Sequence, residues 1–82
     1  GQHDRAVSLF EEIVAARPQH AHTLFNLGRS LVLAGRPARA IPALRAGLEI
    51  EDDPAARRWL SRAIREAYGA SPAESSSGSA SR

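Results

Sequence analysis

Residues 24–50 read LFNLGRSLVLAGRPARAIPALRAGLEI, and the fold is decided by how the apolar groups fall within this stretch. Leu24, Leu27, Gly28 and Leu31 recur at three- and four-residue steps, which sets them on one face of a helix lying within His20 to Ala34. Ala40, Ile41, Leu44 and Leu48 do the same within Pro37 to Ile50. Between the two lies Gly35-Arg36-Pro37. Glycine takes the left-handed conformation that closes a helix, and proline suits the first turn of the next. The stretch therefore predicts two antiparallel helices joined by a tight turn.

Working outward, the pattern repeats. GQHDRAVSLFEEIVAARP, from Gly1, overlays GRPARAIPALRAGLEIED, from Gly35: Arg5 falls on Arg39, Ala6 on Ala40, Val7 on Ile41, Phe10 on Leu44 and Val14 on Leu48, all at a shift of 34 residues. A second echo carries Leu27, Gly28 and Leu31 onto Leu60, Ser61 and Ile64 at a shift of 33. Glycine and serine are both small, so the echo keeps size as well as apolarity. Pro18 ends the first helix because it cannot continue the backbone ladder. Asp53 followed by Pro54 is a helix start, an aspartate cap and then proline at the first helical position. That last helix runs to about Tyr68, with Gly69 as its stop. Beyond it ASPAESSSGSASR is serine-rich, nearly free of large apolar groups, and is expected to be a disordered tail over 70–82.

Composition narrows the function classes. An 82-residue chain is one small domain at most. It has no cysteine, so thiolate metal sites and disulfides are ruled out. Lysine is absent and arginine carries the positive charge, a bias of the GC-rich, bacterial coding kind. The net charge is only +2, and Glu11, Glu12, Glu49, Glu51, Asp52 and Asp53 interrupt the arginines. A nucleic-acid binder would show a basic stripe, so nucleic acid is not an expected partner. No stretch approaches the roughly 20 apolar residues that span a bilayer, and no membrane association is expected. Nothing in the chain assigns a compartment; the cytoplasm is the default expectation.

The period and spacing resemble the tetratricopeptide-repeat family, whose motif runs W-x2-L-G-x2-Y, then A-x3-F, then P. Here the first part is Leu24, Leu27-Gly28 and Leu31, and the second is Ala40 and Leu44; the preceding unit shows Ala6, Phe10 and Pro18. The resemblance covers roughly residues 1 to 68. It implies an α-α superhelix of antiparallel helix pairs over 1–69. Within it, 1–18 is the second helix of a partial repeat, 21–54 one complete repeat and 54–68 a terminal capping helix. Gly28 and Ala40 are small, so two helices approach closely while leucines fill the gap. Each pair leaves an apolar face that its neighbour covers. Some positions depart from the pattern. Leu24 and Leu31 stand where aromatics are frequent, and Ile13 stands where Gly47 is small. Pro42 lies inside a predicted helix, at a cost of about 3 kcal/mol in a regular interior. Gly1 corresponds to a turn in mid-repeat, and such arrays normally need about three repeats, so further repeats or a domain are expected upstream.

The same resemblance implies a non-catalytic protein-interaction scaffold. A partner peptide or helix is expected in a concave groove lined by His22, Phe25, Asn26, Arg29, Val32 and Leu33. Asn26 can donate and accept at once, and Arg29 can take a carboxylate in a two-pronged bond. Val32 and Leu33 could instead pack within the array, and Arg29 be a plain surface charge. Trp59 is the only tryptophan, read as packing surface for the last helix or as an exposed anchor. Its neighbours Arg57, Arg58, Arg62 and Arg65 give that helix a polar outer face. His20 and His22 flank Ala21, but with no companion cluster they are solvated or groove-lining rather than metal ligands. Glu11 and Glu12 are adjacent, point in different directions and form no catalytic pair. There is no G-x-S-x-G elbow, P-loop or G-x-G-x-x-G. No enzyme activity and no cofactor are expected. The alternative is the repeat tail of a larger bacterial enzyme, a transferase or hydrolase, used for docking or substrate positioning. A third reading is a self-assembling array.

Overall fold

In the computed structural model, which describes residues 1–69, four helices follow one another: α1 (Gln2–Ala16), α2 (Ala21–Leu33), α3 (Pro37–Ile50) and α4 (Pro54–Tyr68). The tail expected over 70–82 lies outside the described residues. Among these residues there is no strand, and the chain is an all-α helical repeat.

The helix ends follow local chemistry. Gly35 sits at φ 81°, and past it the chain makes a paired closure: Arg36 N–H donates to Leu31 carbonyl at 2.8 Å and Gly35 N–H to Val32 carbonyl at 3.0 Å. These bonds use carbonyls that the end of α2 would otherwise leave unmet. Asp53 Oδ1 accepts from Ala56 N–H at 3.0 Å, as the Asp-Pro start requires. Gly69, at φ 83°, closes α4. The α2 start is less familiar. His20 is its cap, its Nδ1 accepting from Thr23 N–H at 3.3 Å and lying 2.6 Å from Thr23 Oγ1. Pro42 does not interrupt α3. The carbonyl it deprives of a donor belongs to Ala38, and both residues are exposed, so water can take the bond.

Packing is between neighbours. α1 lies against α2, α2 against α3, and α3 against α4, while α4 also reaches back to α2. The core joins Leu27, Leu31, Ala40, Ile41 and Leu44 to Val7 from α1 and to Ala56 and Ala63 from α4. Ala40 and Leu44 are both 0% exposed. Two glycines set the helix spacing. A methyl at Gly28 would fall on the Leu44 side chain, 2.6 Å from Cδ2, and one at Gly47 would lie 2.7 Å from Phe25 Cδ1. The expectation that small residues let α2 and α3 nest is thus a matter of atoms with no spare room. One repeat earlier the packing is looser. Ala6, Phe10 and Ile13, equivalent to Ala40, Leu44 and Gly47, are only half-buried. In α3 those positions face α2.

Ion pairs run along the outside. Arg39 donates to Glu11 at 2.6 Å, and Arg36 lies 3.7 Å from Asp4, so two arginines at the start of α3 tie back to α1. All four side chains are exposed, so water and salt screen these pairs and they add little to stability.

Candidate functional site

α2 is buried on most of its circumference, which leaves one line of outward side chains: His22, Asn26, Arg29 and Leu33. Steps of four, three and four residues place them in a single row along the helix. The row offers four different chemistries. His22 is exposed, its Nε2 3.6 Å from Glu51 Oε2 and its ring edge-on to Phe25 at 6.2 Å. Asn26 is half-buried and supplies an amide. Arg29 is exposed, with no carboxylate bound to it among the described residues. Leu33 is 40% exposed.

Phe25 and Val32, expected in the same groove, sit apart from this row. They are 9% and 3% exposed and belong to the core. For Phe25 the reason is local: Gly47 has no side chain, and the phenyl ring occupies that space. The ring thus holds α2 against α3 and stands behind His22 rather than beside it.

The α4 helix repeats the arrangement one period on. At the 33-residue shift, His22, Asn26 and Arg29 correspond to Ala55, Trp59 and Arg62. Ala55, Arg58, Trp59 and Arg62 wall a shallow depression. Trp59 is half-buried, and the Arg62 guanidinium carbon stands 5.1 Å from the centre of its ring, a cation–π contact. Arg62 Nε also donates to Glu66 at 2.6 Å.

The other flank of α4 departs from its α2 counterpart. Leu24, Phe25, Gly28 and Val32, all buried in α2, become Arg57, Arg58, Ser61 and Arg65, all exposed. Arg57 is tied to Asp52, Nε donating at 2.9 Å. The hydrogen bond from Arg57 and its charge hold the Asp52 carboxyl below the usual aspartate value. The flank is therefore solvated, as the sequence reading of a polar outer face anticipates.

Of the three histidines, His20 has the clearest structural task, since its Nδ1 is occupied at the α2 cap. Sequence reading passed over that role. The signal was available: a side-chain acceptor just before a helix, with the amide it caps three residues on.

A family model described as tetratricopeptide repeat matches residues 1–63. No curated protein and no solved structure matches the chain. The match takes in α1, α2 and α3 entirely and most of α4, the same span over which the helices recur at 33 and 34 residues. With more than half its length matched and the repeat geometry in place, the chain belongs to the tetratricopeptide-repeat family.

Proposed function

We propose that the chain is a protein-interaction scaffold without catalytic chemistry of its own, which receives a partner peptide or helix in a concave groove centred on α2. The observation that carries this reading is the outward row His22, Asn26, Arg29 and Leu33 on a helix otherwise committed to the core. A side chain fixed to such a helix loses little further freedom on binding, so contacts made along it are preorganised. Asn26 serves the partner's backbone, Arg29 a carboxylate, and Leu33 an apolar side chain. Phe25 and Val32 keep their place in the groove set as the packed layer beneath the row.

The test is a double substitution, Asn26→Ala with Arg29→Ala. Pull-down and titration against a partner identified with the unsubstituted chain should show weaker binding, while far-ultraviolet circular dichroism stays nearly the same. Unaltered affinity with unaltered helicity would defeat the reading.

A further inference from the structure

α1 carries an apolar line on its outer side. Val7, Phe10 and Val14 turn to the core, Val7 fully and the other two in part. Roughly 120° round the helix, at ~100° per residue, lie Ala6, Leu9, Ile13 and Ala16. Leu9 is 54% exposed, Ala16 is exposed, and Ile13 is half-buried between them. Steps of three, four and three residues are the spacing of a coiled-coil seam. Two opposite charges flank it, Glu12 just before Ile13 and Arg17 just after Ala16. Among the described residues neither has an ionic partner, although the adjacent Glu11 is held by Arg39. Leu9, Ile13 and Ala16 share an open depression with His20 and Thr23 at the start of α2.

We infer that α1 pairs in parallel with the α1 of a second copy of this chain, along a seam of Leu9, Ile13 and Ala16 with Glu12 and Arg17 bridging across it. Three observations choose that occupant. The charges are self-complementary. In a parallel pair the residue before one seam meets the residue five positions on in the other helix, so Glu12 faces the partner's Arg17 and Arg17 the partner's Glu12. The apolar residues agree, because Ile13 takes the first and Leu9 the fourth position of the heptad, an assignment that favours two parallel strands. The bodies also clear each other. α2 lies on one flank of the seam, and a two-fold axis running along the helices carries the two copies of α2 to opposite sides. A helix packed on α1 as α2 packs on α3 fits less well. Where α3 has Ala43, Ala46 and Gly47, α1 has Leu9, Glu12 and Ile13, and Ile13 fills the space in which Gly47 admits the Phe25 ring. The seam from Ala6 to Ala16 is about 15 Å long at ~1.5 Å per residue. Such a seam is too short for a stable interface of the usual ~800 Å² per partner, so the dimer is weak and α1 is unpaired in dilute solution.

The experiment is sedimentation equilibrium of the full 82-residue chain over a wide range of concentration, up to about 1 mM. A reversible monomer–dimer equilibrium is expected. Leu9→Gln should weaken association, and because Leu9 is largely exposed the fold should survive. Glu12→Arg and Arg17→Glu should each lower the association constant about tenfold, since each sets like charges opposite one another twice in the dimer. The decisive variant carries both exchanges in one chain. It restores both bridges with their signs reversed, at the same net charge, and should dimerise as the unsubstituted chain does. Circular dichroism of every variant checks that the helices are still formed. A chain that stays monomeric throughout would overturn the inference and leave the seam to some other helix. Association that ignores Leu9→Gln, or single exchanges that the double exchange does not rescue, would overturn it equally. The α2 reading is judged separately: Asn26→Ala with Arg29→Ala should leave this dimer intact, because neither residue lines the seam.

Discussion

An added methyl at Gly28 would collide with the branch carbon of Leu44, and Leu44 cannot retreat because it is 0% exposed. Two effects of Gly28→Ala oppose each other. Alanine is the better helix former by about 1 kcal/mol. Overpacking a filled core costs typically ~1–3 kcal/mol. The contact falls on the branch point of a short side chain rather than on a flexible tip, so the cost should win. Gly28→Ala is expected to destabilise by about 1–2 kcal/mol, read from the midpoint of urea unfolding. Ser61→Ala, at the equivalent but exposed position in α4, should stay within ~0.5 kcal/mol. Equal stability of the two variants would mean that α2 and α3 are not in contact as described. Gly47 admits a sharper form of the same test, because the atoms in its way belong mostly to Phe25. Gly47→Ala and Phe25→Ala should each destabilise, yet their combination should cost less than the two together. A vacated ring leaves room for the methyl, and neighbours that share space are not additive. Strict additivity in a double-mutant cycle would separate the two residues.

At the scale of the helix, Pro42 shows where propensity is a poor guide. A proline in a helix interior removes a bond and crowds the preceding turn, and the sequence alone suggests a bend. α3 nevertheless runs unbroken from Pro37 to Ile50. The proline faces solvent in the second turn, so the deprived carbonyl is wet. Pro42→Ala should therefore stabilise, restoring a donor at the expense of a freer unfolded chain, by about 1–2 kcal/mol. A rise in thermal midpoint checks it, and a fall would show that the ring itself packs usefully. The four helices, their turns at Gly35 and Asp53, and the close approach of α2 and α3 at the small Gly28 and Ala40 were legible beforehand because each rests on residue type at a fixed spacing; that Leu44 is the side chain filling the space at Gly28 was not. The burial of Phe25 and Val32, both expected to line the groove, was not. Helical periodicity gives the angle of a side chain around its own axis but not which neighbouring helix lies at that angle. Phe25 is inward only because a residue 22 positions later is glycine. The His20 cap was missed for another reason: histidine is not among the usual capping residues, so the signal lay in its position just before the helix and not in its residue type.

Across the described residues, contacts run from each helix to its neighbours in sequence, with one extra link from α4 to α2. A repeat array of this kind has stability that is roughly a sum of units and their interfaces, so it need not unfold as one block. α2 touches all three other helices, whereas α1 packs on α2 and holds α3 only through exposed ion pairs. Amide hydrogen exchange should accordingly grade along the chain. The amides of α2 and α3 should exchange slowest, and those of α1 and the C-terminal turns of α4 should open first. This ordering bears on the proposed function, because the row His22, Asn26, Arg29 and Leu33 then stands on the most protected helix. A ligand that binds the folded form of α2 adds its binding free energy to the local opening of that helix. A partner seated on α2 should therefore slow exchange in α2 and in the helices it supports. Uniform protection from α1 to α4 in the free chain would instead mark a single cooperative unit, and the nearest-neighbour description of this repeat would fail.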